Sequence, residues 1–333
     1  MKIAVLDDYQ DVFRSVPAAA RLEGHEVVVY HDTVKDPDAL AGRVKDAEVV
    51  VLTQQRSSFP RAVIEKLPRL RLIAQTGSHR DHFDIAACTE KGIAIAARAG
   101  AARLNSTAEL TWGLILASYR HIPEEAQQLK QGAWQTTVGN TLFGKTLGVY
   151  GLGKIGAMVA QVGAAFGMKI TCWGRDATRA RARNAGYGVP ASREAFFSGA
   201  DIVSLHVPLE PETRGIVTAG DLACMKPTAL LVNTSRAALI EPGALVEALK
   251  RGRPGRAAVD VYETEPITDG SHPLFKLPNA LCTPHLGYNV RELYEVLYGD
   301  AIDNIVSFLS GRPVNLLNPE ALERASTTTG ERT

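Results

Sequence analysis

The chain has no surplus charge of either sign. Its 37 lysines and arginines stand against 36 aspartates and glutamates, a formal net charge of +1. That leaves no bulk field to recruit DNA or an anionic membrane surface. Long apolar runs are missing too, since no stretch approaches the roughly 20 residues that span a bilayer. The opening "MKIAVLDDYQ" reads as a β-strand and turn and lacks the basic start and long apolar core of a signal peptide. Cys88, Cys172, Cys224 and Cys282 are scattered with no C-x-x-C, which argues against a disulfide framework and a zinc site alike. His25, His31, His79, His82, His121, His206 and His272 show no metal-ligand spacing. No G-x-S-x-G elbow is present, so a serine hydrolase is excluded. Small-molecule chemistry in a reducing cytoplasm, without a metal, is the remaining expectation.

With 333 residues the chain exceeds the ~250–300 at which single cores stop growing, so two domains are expected. Its 45% hydrophobic and 22% charged composition is that of an ordinary globular protein. In the first hundred residues the runs "KIAVL", "EVVVY", "AEVVVL" and "LRLIAQTG" alternate with helical periodicity, which predicts a parallel α/β sheet. One long helical pattern follows from Asn105 through "STAELTWGLILASYRHIPEEAQQLKQG", with Ser106 or Thr107 as its N-cap and Glu109 nearby. Six further strand runs come next: "TLGVY", "KITCW", "DIVSLHV", "ALLVNTS", "GRAAVDVY" and "ALCTPH". Six strands separated by helices are what a dinucleotide fold requires. Beyond Gly287 the pattern is helical again, and "ERASTTTGERT" reads as a frayed polar tail.

"GLGKIG" sets Gly151, Gly153 and Gly156 in G-x-G-x-x-G spacing, with Lys154 and Ile155 inside the turn, directly after one strand run and opening a helical one. Gly151 would make the tight turn, Gly153 would let backbone approach a pyrophosphate, and Gly156 would let helix and strand pack closely. Amides at the helix start would then bind phosphate.

Three later strands end on groups with chemical potential: Arg236, then Asp260, Glu263 and Glu265, then His285. Ligands in open α/β sheets bind beyond the carboxyl ends of the strands. An imidazole there can give a proton to a carbonyl oxygen as hydride arrives. A neighbouring carboxylate fixes its tautomer, and an arginine fork pairs with a substrate carboxylate. Taken singly, each could equally be a turn cap, a surface charge or a strand-end histidine.

Those motifs, with "QTGSHRDHFDIAACTEKGIAIA", "SLHVPLEPETRGIV", "MKPTALLVNTSRAALI", "AAVDVYETEP", "CTPHLGY" and "VNLLNPE", resemble the D-isomer-specific 2-hydroxyacid dehydrogenases, among them phosphoglycerate dehydrogenases and glyoxylate or hydroxypyruvate reductases. The resemblance implies an α/β protein of two Rossmann-like domains with parallel sheets. A discontinuous, flavodoxin-like substrate domain (1–100 and 290–333) would accept an inserted dinucleotide-binding domain (101–289), with hinges near Arg98 to Arg103 and Gly287 to Arg291. It implies His285 as acid/base, Glu265 as its partner and Arg236 as substrate anchor. Asp260 matches the position that holds the nicotinamide carboxamide, and Val207, Pro208, Thr213, Thr234, Ser235 and Gly287 fall in cofactor-lining segments. Gly77 and Ser78 amides would bind the carboxylate of a 2-oxo acid, with Arg56, His79 or Arg80 on a second group and Tyr288 narrowing the pocket. A homodimer through the 105–135 arm is also implied.

This sequence departs from the family where His79 replaces glycine, where Gln54 replaces arginine, and near Gln75, where phosphoglycerate dehydrogenases tend to carry arginine. The chain ends soon after "VNLLNPEAL", so a C-terminal regulatory domain is not expected. The second strand of the cofactor domain ends in "CWGRD", with Gly174 where NAD-binding members carry aspartate. Arg175 could then pair with a 2′-phosphate, or Asp176 could return to the ribose, or both could simply cap the next helix. The expected cofactor is therefore NAD or NADP, with NADP(H) accepted or preferred. The expected reaction is reversible reduction of a small 2-oxo acid to its D-2-hydroxy acid. A dinucleotide-sensing binding protein, and oxidation of formate or phosphite, are the alternatives.

Overall fold

Short β-branched and apolar runs form the strands. The computed structural model describes residues 1–77, 80–98 and 105–324 of the 333. They divide into two compact units, Met1–Leu104 with Val290–Thr333, and Asn105–Asn289. The first unit holds β1 (Lys2–Leu6), β2 (Glu26–Val29), β3 (Val49–Leu52), β4 (Leu72–Gln75) and β5 (Ala94–Ala97). They form one parallel sheet in the order β2-β1-β3-β4-β5, the flavodoxin-like order. Every side chain of β3, VVVL, is buried, as in a parallel strand covered on both faces. The sequence pattern predicts four strands here. The fifth, β5, has the sequence AIAA, whose three alanines carry too little apolar bulk to stand out, although all four residues are buried.

The second unit holds β6 (Thr146–Tyr150), β7 (Lys169–Trp173), β8 (Ile202–Leu205), β9 (Leu230–Asn233), β10 (Arg256–Val259) and β11 (Ala280–Cys282). Each of the six predicted runs contains one of them. All pair in parallel, in the order β11-β10-β9-β8-β6-β7. Outside β7 a single parallel bridge joins Thr171 and Gly188, with Cys172 N donating to Gly188 O at 2.8 Å and Gly188 N to Ile170 O at 2.9 Å. Counting that position as a further strand gives the doubly wound dinucleotide order, which reverses direction between β6 and β8.

The helices are α1 (Pro37–Val44), α2 (Arg61–Ile64), α3 (Ile85–Glu90), α4 (Ser106–Arg120), α5 (Ile122–Lys130), α6 (Lys154–Ala165), α7 (Asp176–Asn184), α8 (Arg193–Gly199), α9 (Ala219–Cys224), α10 (Ala244–Lys250) and α11 (Arg291–Leu309). The second sheet alternates its core residues strictly. Val149, Cys172, Ile202 and Val232 pack with Trp112, Ile115 and Val159, while Tyr150, Val203, Leu231 and Val259 pack with Phe196, Leu222 and Leu245. This period of two carries functional residues to predictable sides at the strand ends.

Two local expectations are corrected. The long helix after Asn105 is two helices, because His121 turns left-handed (φ 53) and Pro123 opens the second. Proline suits a helix start and breaks a helix interior. Neither Ser106 nor Thr107 is the N-cap of α4; Asn105 holds that position without a side-chain bond. Both hydroxyls donate instead to Gly287 O, at 2.9 and 3.0 Å. Of the hinge expected near Arg98 to Arg103, residues 99–103 lie outside the described residues. Among the described residues no helix is long and apolar enough to cross a membrane, and no group of three or more His, Cys, Asp or Glu could hold a metal ion.

Candidate active site

The glycine turn follows β6 directly. Gly151 has φ +93, and a Cβ there would lie 2.6 Å from His206 O; a Cβ at Gly156 would lie 2.1 Å from Gly151 O. No other residue fits at either position. A Cβ at Gly153 would meet nothing within 4 Å, so the space above that residue is open. Gly153 is also the N-cap of α6 and carries no side-chain cap, leaving the first amides of a twelve-residue helix without a side-chain acceptor. Lys154 is exposed and Ile155 half-buried at the helix start. Open space over an uncapped helix start fits the pyrophosphate of a dinucleotide. Val207 belongs to the same place, since its Cγ2 would be 3.1 Å from a Cβ on Gly151.

Three neighbouring strands, β9, β10 and β11, present the charged groups at their carboxyl ends. His285 Nδ1 lies 2.6 Å from Glu265 Oε2. An ionised carboxylate only accepts, so Nδ1 carries the hydrogen and Nε2 is left for other chemistry. Glu265 is itself oriented, because its Oε1 accepts from Tyr262 N at 2.9 Å. His285 adopts φ +54, and its N–H donates to Thr283 O at 3.0 Å. The Tyr288 ring stands edge-on to the imidazole, with centroids 5.4 Å apart.

Arg236 follows β9 and is half-buried. Its Nη1 donates to Ser235 O at 2.8 Å, and among the described residues no carboxylate pairs with its guanidinium. The loop beneath it is fixed: Asn233 Nδ2 donates to Arg236 O, Ser235 N to Asn233 Oδ1, and Ser235 Oγ to Leu205 O. Thr234 Oγ1 lies 2.8 Å from Thr111 Oγ1.

Asp260 is fully buried. Its Oδ1 accepts from Thr283 Oγ1 (2.6 Å) and Leu286 N (2.7 Å), and its Oδ2 from Gly287 N (2.9 Å). Burial raises its pKa, and these bonds together with His285 offset the rise only in part. In this fold its carboxylate holds the segment that bears His285.

Gly174 has φ +152, and a Cβ there would crowd Thr178 at 3.0 Å. Arg175, beside it, is the N-cap residue of α7, and its Nη2 lies 3.1 Å from Glu210 Oε2. Asp176 faces solvent and pairs with Arg179 at 2.9 Å. Pro208 is exposed; its carbonyl accepts from Thr213 Oγ1, which in turn accepts from Glu210 N.

A profile for the D-isomer specific 2-hydroxyacid dehydrogenase, NAD binding domain, matches residues 112–287, the span that holds the glycine turn and all three strand ends. The chain belongs to the D-isomer specific 2-hydroxyacid dehydrogenase family. Among the chain's relatives, a glyoxylate reductase of Aeropyrum pernix is 37% identical over 271 residues, 78% of this chain and 80% of that protein. A D-3-phosphoglycerate dehydrogenase of Methanocaldococcus jannaschii is 38% identical over 284 residues, 81% of this chain. The chain spans about half of that relative's length, 53%. The crystal structure of a phosphoglycerate oxidoreductase from Vibrio cholerae O395 is 45% identical, covering 93% of this chain and 99% of its own with a TM-score of 0.88.

In the first unit, Arg56 is half-buried after β3, Gly77 follows β4 with φ +77, and Arg80 is exposed. Ser78 and His79 lie outside the described residues. Gln75 serves the backbone here. Gln75 Nε2 donates to Gln54 O and Thr76 O, and its Oε1 lies 3.0 Å from His82 Nε2. The sequence reading missed several residues that hold the site. Arg181 Nε donates to Leu152 O at 2.9 Å and pins the glycine turn, yet it is one of several arginines in "DATRARAR" and nothing in the spacing singles it out. Thr283 and Tyr262 flank His285 and Glu265 closely in sequence, the one signal that could have pointed to them.

Proposed function

We propose that the chain is an NAD(P)-dependent dehydrogenase that reversibly reduces a small 2-oxo acid to the D-2-hydroxy acid. The observation that carries this reading is the His285–Glu265 pair at 2.6 Å, which joins the segments after β11 and β10, with β9 beside β10 leading into Arg236, whose guanidinium pairs with no carboxylate among the described residues. Gly151, Gly153, Gly156 and the start of α6 would hold the dinucleotide, which when bound supplies or accepts the hydride at C2. Arg236 pairs with the substrate carboxylate and polarises the ketone. His285 Nε2 gives its proton to the carbonyl oxygen in reduction and takes it back in oxidation. Glu265 holds Nδ1–H and so leaves Nε2 for the substrate, while Asp260 fixes the loop that aims the ring. Gly77 and Ser78 amides, with Arg56, His79 or Arg80, are assigned to the substrate, and Tyr288 to narrowing its pocket.

Replacing His285 by alanine should lower kcat by about 10²–10⁴ and leave the dissociation constant of the dinucleotide within about twofold. Steady-state rates with glyoxylate, hydroxypyruvate and phenylpyruvate, combined with fluorescence titration of NADH and NADPH, measure both. Undiminished turnover sinks the acid/base assignment.

NADPH as well as NADH should serve. Position 174 offers no carboxylate to repel a 2′-phosphate, and Arg175 stands next to it. Self-association through the 105–135 arm is supported by exposed apolar side chains that a monomer would leave in water. Ile122, Leu129 and Trp134 are 52%, 57% and 76% exposed around a groove of about 500 Å³. Apolar surface grouped in this way marks association sites.

A further inference from the structure

A cavity of about 320 Å³ lies at the carboxyl edge of the second unit's sheet, among β9, β10, α10 and the turn Pro273–Lys276. Ligand pockets begin at roughly this size, ~300 Å³. Val259 and Val261 line it, so by strand alternation it sits on the face away from Asp260. No residue of the proposed reaction lines it.

Its walls are nevertheless the backs of two segments that carry the chemistry. Asn233, 1% exposed, lines the cavity, and its amide group holds both Arg236 O and Ser235 N. On the other wall, Val261 and Glu263 flank Tyr262, whose N–H orients Glu265 against His285. The interior is aliphatic, from Ile240, Leu245, Val246 and Leu274. The ionisable groups on the lining are the carboxylates of Glu241 and Glu263 and the imidazole of His272, and neither lysine nor arginine contributes. Glu263 Oε2 lies 3.0 Å from His272 Nε2, which holds the carboxylate at the wall. An aliphatic chamber with acidic groups at its wall attracts an apolar cation and repels an anion.

We propose that this cavity is a second small-molecule site, specific for a compact apolar amine, and that its occupancy changes turnover through the Asn233 and Tyr262 segments. A 2-oxo or 2-hydroxy acid carries the wrong charge for it, so the site does not duplicate the substrate site. Binding stands independently of the proposed reaction, and only the effect on turnover rests on that reading.

The test is titration calorimetry on the full chain with 2-phenylethylamine, beside 3-phenylpropionate as its anionic counterpart. The amine should bind saturably with one site per chain, and the acid at least about tenfold more weakly. Glu263→Gln should weaken the amine about three- to tenfold with an unchanged melting temperature. Val246→Phe, which fills the chamber from α10, should abolish binding. Should that variant fail to fold, a crystal structure with 2-phenylethylamine replaces it, and amine located elsewhere overturns the site. Absent saturation, equal affinity for acid and amine, or indifference to Glu263→Gln likewise overturns it. In a separate arm, saturating amine should change kcat by about threefold or more without competing with NADH or NADPH. Unchanged kcat in an active enzyme that binds the amine overturns the coupling. An enzyme inactive on every 2-oxo acid but still binding the amine overturns the proposed reaction and leaves the site standing.

Discussion

The carboxyl edges of the two parallel sheets are built from similar residues and put to different use. In the first unit Gln75, Thr76 and Thr53 spend side-chain bonds on backbone. Gln75 ties down Gln54 and Thr76, Thr76 Oγ1 donates to Leu52 O, and Thr53 Oγ1 donates to Leu6 O. The second unit has the same kind of bracing at Asn233, Asp260 and Thr283, but it carries on top of it two groups with valence to spare. Among the described residues Arg236 has no acid, and His285 Nε2 has no partner. A polar group whose bonding is saturated builds the edge, and one left unsaturated on a braced support is available for chemistry.

The contrast is broken or sharpened most strongly by a pair of substitutions. Arg236→Ala should reduce kcat/KM for the 2-oxo acid by about a hundredfold or more, near 3 kcal/mol, while the melting temperature stays put. Gln75→Ala should do the reverse. It leaves the carbonyls of Gln54 and Thr76 without their donor and costs about 1–3 kcal/mol of stability, with dinucleotide affinity unchanged. Denaturant melts and steady-state kinetics on both variants settle the matter. Arg236→Ala melting early, or Gln75→Ala melting like the parent, would erase the distinction between the two edges.

The edges should also answer to pH with opposite signs. His206, after β8, is buried, with Nε2 2.8 Å from Ser204 Oγ, and burial lowers its pKa to about 4 from 6.5. Its stability contribution is complete above pH 6.5 and is lost as pH falls towards 4, because the unfolded chain takes up the proton first. At 1.36 kcal/mol per unit the loss approaches roughly 3 kcal/mol. Asp7, after β1, is buried and its pKa is raised chiefly by that burial. Its contribution to stability therefore declines as pH rises from 3.8 through the raised value. His206→Gln should flatten the acid limb of a stability profile measured by urea melts, and Asp7→Asn should remove the opposing slope. An acid limb of unchanged steepness in His206→Gln would show that another group governs it.

The sequence made the second unit more legible than the first for a physical reason. All six of its strands fall within apolar runs, and Gly151 and Gly156 stand where a Cβ would strike backbone, so the turn "GLGKIG" is constrained by sterics. β5 escaped because alanine gives little periodic signal. The break at His121 escaped because the apolar period runs through it, and Pro123 was the one hint. Long-range bonds were out of reach: no spacing says that Ser106 and Thr107 reach Gly287 across 180 residues, or that Arg181 clamps Leu152. The charges at the strand ends were readable as a set. The bracing that makes them useful was not, since it depends on which loop folds over which carboxylate.

The smallest expected effect concerns the ribose end of the cofactor site. Arg175 and Glu210 form a pair at 3.1 Å with side chains 70% and 46% exposed, and such surface pairs contribute only about 0–1 kcal/mol. A 2′-phosphate carries more charge than a carboxylate and three acceptor oxygens, so it can displace Glu210 from Arg175 at little cost. On the proposed reading, Arg175→Ala should weaken NADPH by about tenfold and NADH by less than about twofold. Glu210→Gln, which frees the guanidinium, should tighten NADPH by a few-fold. Both shifts should shrink in high salt, because the pair is exposed and screened. Fluorescence titration of the two reduced cofactors measures all of this. Equal losses for both cofactors in Arg175→Ala would move the choice to Asp176, which would have to leave Arg179 and turn back towards the ribose hydroxyls.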